Sequence, residues 1–129
     1  MRKYIFQVFV IIGILTIISI ESIGQDSKIY RIAKIKVDYS QLENYKAALQ
    51  EQMNAAIKLE PGVLSYNAVS DKKDATLITI FEVYENNEAY QSHVLTRHFK
   101  KYKEAVKNMV LSLELIDVDL IVSAKKSSF

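Results

Sequence analysis

The apolar residues of this chain follow two different periods, and the order in which those periods alternate constrains the fold more than any other feature. Segments with alternating or continuous apolar residues, typical of β-strands, are 28–37, 63–70, 76–84 and 110–122. Segments with apolar residues three and four positions apart, typical of helices, are 40–59, 86–95 and a further stretch from 96. The order β-α-β-β-α-β, with its second helical region divided in two, predicts an α+β fold with a ferredoxin-like split βαβ sheet and its helices on one face.

Two local signals refine these boundaries. Ser40 followed by Glu43 fits a capping box that opens the first helix, and Pro61-Gly62 ends that helix. In the last strand, the apolar phase changes at Leu115-Ile116, which predicts a kink there.

The strands are apolar on both of their alternations. In the third strand, Leu77, Phe81 and Val83 lie on one alternation, and Ile78 and Ile80 lie on the other. A sheet whose helices cover only one face would leave the second apolar set exposed. We therefore expect a homodimer in which a second copy covers that face.

The first 24 residues have the features of a signal peptide. Arg2 and Lys3 precede the apolar stretch 5–20, and Ser22-Ile23-Gly24 supplies the small residues of a cleavage site. We expect cleavage before Gln25, one mature domain over 25–129, no membrane association after cleavage, and a periplasmic or secreted location. An uncleaved anchor is the alternative, although the apolar stretch is shorter than the roughly 20 residues that span a bilayer.

The composition excludes several classes of site. The 17 basic and 15 acidic residues nearly balance, so we expect no nucleic-acid partner. The chain has no cysteine and only two histidines, five positions apart, with no carboxylate at a ligand spacing beside them, so no metal site is predicted. Gly62 is the one glycine left after the leader, which leaves no glycine-rich phosphate loop.

One run of residues carries a family resemblance. It begins with Glu60-Pro61-Gly62, continues through Glu82-Val83-Tyr84 and Ala89, and ends with His93 and His98-Phe99. This order resembles the antibiotic biosynthesis monooxygenase domain, typified by quinol-oxidising proteins. The resemblance implies two sheets paired face to face as a dimeric α+β barrel. It also implies a monooxygenase that oxidises a small quinol or polyphenol with O2 and needs no cofactor.

The resemblance assigns the catalytic residues as His93, Tyr84 and Tyr66. His93 falls on the histidine of the family pattern and would accept a phenolic proton, for which imidazole is suited near neutral pH. The alternative is a structural histidine, bonded to Glu82 or to backbone, that ties helix to sheet. Tyr84 and Tyr66 would wall the pocket and donate hydroxyl hydrogen bonds to the substrate anion, or simply belong to the core.

The expected substrate-binding residues surround these three. Phe81 and Phe99 would form pocket walls, and Glu82 would orient His93 or pair with a lysine. Arg97 and His98 follow the helix break and could gate the cleft with positive charge.

Related haem-degrading proteins differ from this chain at three positions. They use an Asn, a Trp and an iron-binding His where this sequence has Ala33-Lys34, Tyr84 and Tyr102-Lys103. Haem degradation by that scheme is disfavoured, although His98 could still bind iron in another geometry. Two alternatives to the enzyme therefore stay open, a non-catalytic small-ligand-binding barrel and a haem-binding protein.

Overall fold

A computed structural model describes residues 27–128, so the predicted signal peptide and its cleavage site lie outside the described residues. The strands are β1 (Ile29–Val37), β2 (Val63–Ser70), β3 (Leu77–Tyr84) and β4 (Val110–Val118). The helices are α1 (Leu42–Leu59), α2 (Asn87–His93) and α3 (Arg97–Val106). The strands form one antiparallel sheet in the order β2-β3-β1-β4, which confirms the predicted ferredoxin-like α+β fold. Within the described range, no helix is both long and apolar enough to cross a membrane.

The hydrophobic core lies between one face of the sheet and the helices. Its buried members from the sheet are Ala33, Ile35, Val37, Ile78 and Ile80, and those from the helical layer are Leu42, Tyr45, Leu49 and Val106. Each fully buried Val, Leu or Ile side chain contributes about 1.5–3 kcal/mol to folding relative to an exposed one. The same helix-facing side of the sheet carries the polar residues of the site described below.

The other face of the sheet is apolar at its centre. Tyr30 and Ile32 of β1 alternate with the core residues, and their partners across the ladder are Val83 and Phe81. The rings of Tyr30 and Phe81 stack with centroids 6.4 Å apart. Both alternations of the central strands are therefore apolar in the structure, as the sequence predicted.

The predicted capping box is not formed. Ser40 lies in a short 3₁₀ turn (Tyr39–Gln41), where the backbone N–H and hydroxyl of Ser40 both donate to Asp38 Oδ1, at 2.8 and 2.7 Å. Gln41 precedes α1 and makes no side-chain cap hydrogen bond. The charged Asp38 carboxylate, two residues before Ser40, is the stronger local acceptor and engages the residue that was expected to cap the helix.

The predicted kink in the last strand is also wrong. Leu115 and Ile116 pair regularly with Ala33 and Ile32, and the register shifts instead at Lys36/Val37. The phase change arises because the apolar residues in the two halves of β4 face opposite sides of the sheet. Leu113 and Leu115 face the helix side, whereas Ile116 and Val118 pair with Ile32 and Tyr30 on the opposite face.

Candidate functional site

A cleft of about 350 Å³ lies between the helix-facing side of the sheet and the helices. This volume falls within the range of small-molecule sites, roughly 300–1,000 Å³. Much of its wall is apolar or aromatic, with Met53, Ile80, Phe99, Tyr102 and Val106 among the lining residues. Polar side chains in the wall include Arg31, Gln52, Tyr66, Glu82, Tyr84 and His93, together with Lys103 and Lys107. An aromatic molecule with a few oxygen substituents matches this lining.

His93 is almost fully buried in the cleft, with 1% of its surface exposed. Its Nδ1 lies 2.9 Å from Glu60 Oε2, and its Nε2 lies 2.7 Å from the Tyr66 hydroxyl. With the proton on Nδ1 donated to the Glu60 carboxylate, Nε2 keeps its lone pair for a proton from the cleft side. Burial lowers the pKa of His93, an effect that the hydrogen bond from Nδ1 to Glu60 partly offsets.

The local sequence explains why Glu60 and His93 meet. Glu60 is the C-cap residue directly after α1, and its backbone N–H donates to Ala56 O at 2.9 Å. At the start of α2, the Asn86 side chain accepts the Ala89 N–H at 2.8 Å and fixes the helix whose last residue is His93. One helix end thus presents a carboxylate to an imidazole at another helix end.

The tyrosine hydroxyls extend the site along the sheet. The Tyr66 and Tyr84 oxygens lie 2.7 Å apart, and the Tyr84 hydroxyl lies 2.9 Å from Glu82 Oε2. Burial raises the pKa of both tyrosines well above the usual range, so both hydroxyls stay protonated. Burial also raises the pKa of Glu82, opposed by its hydrogen bond with Tyr84 and by the charge of Arg31.

His98 contacts the same carboxylate from another direction. Its Nε2 lies 2.6 Å from Glu60 Oε2, and ligand-type atoms of Glu60, His93 and His98 all lie within 4.8 Å of one another. Two imidazoles and a carboxylate are a set that binds zinc or iron in other proteins. Here the contacts to Glu60 are at hydrogen-bond length, and Glu60 and His98 do not line the cleft. We therefore describe the three residues as a hydrogen-bonded cluster.

The structure brings five of the eight predicted site residues into the cleft wall: His93, Tyr66, Tyr84, Glu82 and Phe99. It does not place Phe81, Arg97 and His98 there. The prediction that Phe81 forms a wall of the cleft is wrong because of the pleat of β3. Ile80 and Glu82 face the helices, so the residue between them must face the other side of the sheet. Arg97 is exposed at the first position of α3, and His98 points to Glu60.

Three residues of the site were not predicted from the sequence: Glu60, Gln52 and Arg31. Glu60 was read only as part of a turn, because its partner His93 is 33 residues away. Gln52 Nε2 lies 3.3 Å from His93 Nε2 and is buried on α1, where no motif distinguishes it. Arg31 shares the inward alternation of Ala33 and Ile35, so strand parity could have found it.

Arg31 is held at one end of the cleft by two contacts. Its Nε lies 2.7 Å from Asp117 Oδ1, and its guanidinium lies 4.0 Å from the centre of the Tyr90 ring. These contacts fix the positive charge of Arg31 beside Glu82, the residue that pairs with Arg31 across the β1–β3 ladder.

Comparisons with known proteins agree with this fold. A model of the antibiotic biosynthesis monooxygenase family matches residues 28–105. A structure from Bacteroides thetaiotaomicron, described as a candidate antibiotic biosynthesis monooxygenase, is 42% identical with a TM-score of 0.76, and the alignment covers 80% of this chain and 98% of that one. A candidate monooxygenase from Lactobacillus acidophilus is 28% identical with a TM-score of 0.69, covering 74% and 52% of the two chains.

A third structure, a candidate antibiotic biosynthesis monooxygenase from Nitrosomonas europaea, is 18% identical with a TM-score of 0.70 and covers 76% of this chain and 94% of that one. At that identity the likeness shows the fold alone. A comparison with curated proteins gives no match.

Proposed function

Because this chain belongs to the antibiotic biosynthesis monooxygenase family, we propose that it is a cofactor-independent monooxygenase that oxidises a small quinol or polyphenol with O2. One observation carries the proposal. His93 is held in an aromatic cleft with Glu60 on Nδ1 and a tyrosine hydroxyl on Nε2. This is the arrangement of a general base whose tautomer is fixed by a carboxylate.

The chemistry needs a proton acceptor before it needs an oxidant. Loss of a hydroxyl proton turns a hydroquinone into an electron-rich anion that can give electrons to O2. One oxygen atom then forms a bond to the ring and the other leaves as water, so that hydroquinone and O2 become hydroxyquinone and water. The aromatic substrate supplies all the electrons, and the protein binds it, moves protons and limits the access of water.

Tyr66 is the group through which the substrate proton would reach His93. The imidazole is almost fully buried, whereas Tyr66 is only partly buried and lines the same cleft. A substrate hydroxyl that donates to the Tyr66 oxygen allows Tyr66 to donate its own proton to His93 Nε2. Phe99, whose ring centroid lies 4.8 Å from that of His93, would form the adjacent apolar wall.

A panel of hydroquinones and polyphenols, assayed for O2 uptake with purified residues 25–129, tests the proposal. We expect at least one compound to be oxidised, with one atom of ¹⁸O2 in the product and the other in water. Treatment with a chelator, and removal of any flavin, should leave the rate unchanged. Retention of an aromatic ligand without O2 uptake would instead support a non-catalytic binding module, and loss of rate on removing metal or flavin would contradict cofactor independence.

We also infer that the protein acts as an exported homodimer. The homodimer is supported by the apolar centre of the sheet face that points away from the helices, where Tyr30, Ile32, Ile116 and Val118 stay half-buried in a single chain. Export is supported by the leader-like residues 1–24. The periplasm or the medium would then be the place where the substrate is met.

A further inference from the structure

Three consecutive contacts connect Glu82 to His93. Glu82 Oε2 lies 2.9 Å from the Tyr84 hydroxyl, the Tyr84 and Tyr66 hydroxyls lie 2.7 Å apart, and the Tyr66 hydroxyl lies 2.7 Å from His93 Nε2. All three separations are hydrogen-bond distances between partly or fully buried groups. Each contact therefore needs one proton.

If Glu82 is ionised and His93 is neutral, the groups in this series supply only two protons for the three contacts. Tyr66 and Tyr84 contribute one hydroxyl proton each, and the Nδ1 proton of His93 is directed away from the chain, to Glu60. An ionised Glu82 and a neutral His93 would thus leave one contact with lone pairs on both atoms, which is costly in a buried site. Gln52 Nε2, 3.3 Å from His93 Nε2, can donate to the imidazole but places no proton between two atoms of the series. The third proton must come from the Glu82 carboxyl or from an Nε2–H on His93.

The two ways of placing that proton interconvert without moving a heavy atom. In the first, Glu82 donates to Tyr84, Tyr84 to Tyr66, and Tyr66 to His93. In the second, an imidazolium donates to Tyr66, Tyr66 to Tyr84, and Tyr84 to the Glu82 carboxylate. Each tyrosine breaks one O–H bond and gains another, and neither becomes charged.

We propose that Glu82 is the proton store of this site, connected to His93 through the hydroxyls of Tyr66 and Tyr84. This role rests on the proposed quinol oxidation. The reaction removes a hydroxyl proton from the substrate at its start and needs a proton at its end, when the O–O bond breaks and hydroxide leaves as water. His93 takes the first proton, and the protonated Glu82 supplies the last one through the Tyr84 and Tyr66 hydroxyls. The imidazolium proton then returns to Glu82 through the same two hydroxyls, so that no imidazolium persists after turnover.

Charged groups face both ends of this series of hydrogen bonds. Arg31 on β1 lies beside Glu82, but Asp117 on β4 pairs with that guanidinium. At the other end, the Glu60 carboxylate and His98 face His93. Other titratable side chains near these groups are Tyr90 on α2, Tyr45 on α1, Tyr102 and Lys103 on α3, and Lys107 directly after α3. Burial raises the pKa of Glu82 and lowers that of His93, and both shifts favour the shared proton on Glu82 over His93.

A titration that needs no substrate tests the connection. Infrared spectroscopy follows the C=O absorption of a protonated carboxyl, with Glu82→Gln to assign it, and ¹⁵N NMR follows Nε2 of His93. In the wild type we expect a protonated Glu82 at neutral pH, and its loss on raising the pH should shift the Nε2 resonance in step. In Tyr84→Phe, which removes the hydroxyl between the two ends, the two titrations should become independent.

Matched variants keep this test decisive. Tyr45→Phe removes another buried hydroxyl, one that bonds to Tyr102 at 2.7 Å outside the chain, and should leave the coupling intact. If Tyr84→Phe does not fold, Tyr66→Phe cuts the next contact. A Glu82 that is ionised throughout the range in which the protein is folded, or an Nε2 resonance indifferent to Glu82, would overturn the proposal.

Measurements of kcat distinguish a failure of the proton-store role of Glu82 from a failure of the proposed function. Glu82→Gln and Tyr84→Phe should each lower kcat for quinol oxidation about tenfold or more, and the double variant should be no slower than the slower single one, because both interrupt one path. If no quinol is oxidised by the wild type, the proposed function fails. The titration still decides whether the two tyrosine hydroxyls connect Glu82 to His93. Coupled titrations with an unchanged kcat in Glu82→Gln would refute the storage role.

Discussion

At the scale of single residues, the site depends on which nitrogen of His93 carries the proton. Glu60 accepts from Nδ1 at 2.9 Å, and this leaves Nε2 as the basic atom that faces Tyr66. The carboxylate also opposes the effect of burial, which by itself lowers the pKa of the imidazole. Glu60 is thus a positioning residue that would keep His93 both oriented and basic enough to accept a phenolic proton.

Replacing Glu60 with glutamine tests this role. The amide oxygen can still accept the Nδ1 proton, but the negative charge is gone, so the pKa of His93 should fall further. A fall of one unit is worth about 1.4 kcal/mol, and we expect a loss of roughly tenfold in the rate near neutral pH. Histidine NMR titration and quinol-dependent O2 uptake measure the two effects. Glu114→Gln, at an exposed position of β4, is the control, and an unchanged or raised His93 pKa in Glu60→Gln would exclude the positioning role.

The buried imidazole also predicts how stability depends on pH. The pKa of His93 is lower in the folded protein than its ordinary value of 6.5, so just below pH 6.5 the unfolded chain binds more protons than the folded one. The free energy of unfolding should therefore decrease as the pH falls through that window. Glu82 contributes with the opposite sign, because its raised pKa favours the folded state at lower pH. The unfolding free energy, measured with urea at a series of pH values, should depend less steeply on pH in His93→Gln than in the wild type. The same pH dependence in both proteins would count against a buried neutral His93.

The residues of the site were only partly predictable from the sequence. His93 could be identified from the family motif, and Tyr66 and Tyr84 from their positions as aromatic residues on strands. Glu60 could not, because its role depends on how a helix end, 33 residues before His93, is aimed in three dimensions. Phe81 was assigned to the cleft wall, although the pleat of β3 directs it away from the face that carries Ile80 and Glu82.

At the scale of elements, the seven-residue helix α2 is positioned by a close approach to the turn before β2. A Cβ atom added at Gly62 would lie 2.5 Å from the Ala89 Cβ, well inside contact distance. Gly62 O also accepts the Glu85 N–H at 2.8 Å, close to the start of α2. The glycine therefore allows α2 to bring His93 against the sheet.

Substitution of Gly62 with alanine should consequently displace α2. We expect a loss of about 1–3 kcal/mol in unfolding free energy, typical of overpacking, together with altered His93 resonances. The double variant Gly62→Ala/Ala89→Gly removes the opposing methyl and should recover part of the loss, although glycine in a helix costs up to about 1 kcal/mol. Additive losses in the two single variants would show that the contact does not control the position of the helix.

The order of the elements was predictable because strand and helix periods differ along the chain. Their ends were less so. Ser40 was assigned to a capping box because Asp38 was not considered as a competing acceptor. The phase change in β4 was interpreted as a kink, whereas Leu115 and Ile116 simply serve opposite faces of a regular ladder. Both predictions were wrong because a local sequence signal does not show which residue the side chain contacts in the folded protein.

At the scale of the whole molecule, the sheet face that points away from the helices should form the dimer interface. Val118→Lys places a charge on this face opposite Tyr30, and an uncompensated buried charge typically costs about 3–5 kcal/mol. We expect the wild type to sediment as a dimer at micromolar concentration and Val118→Lys to sediment as a monomer or to unfold. Ser112→Lys, on the same face of the same strand but at an exposed polar position, should stay dimeric. A monomeric wild type would remove the basis for the paired-sheet arrangement.

The central claim is that His93 accepts the substrate proton in a reaction that needs no cofactor, and the rate of quinol-dependent O2 uptake per folded molecule of His93→Ala tests it most directly. We predict a loss of about 10²-fold or more, the usual scale for a missing general base. Stability should also fall, by about 1–3 kcal/mol, because Glu60 and Tyr66 lose a buried partner, so the folded fraction must be measured in the same samples. A destabilised His93→Ala that oxidises quinol at nearly the wild-type rate per folded molecule would contradict the account.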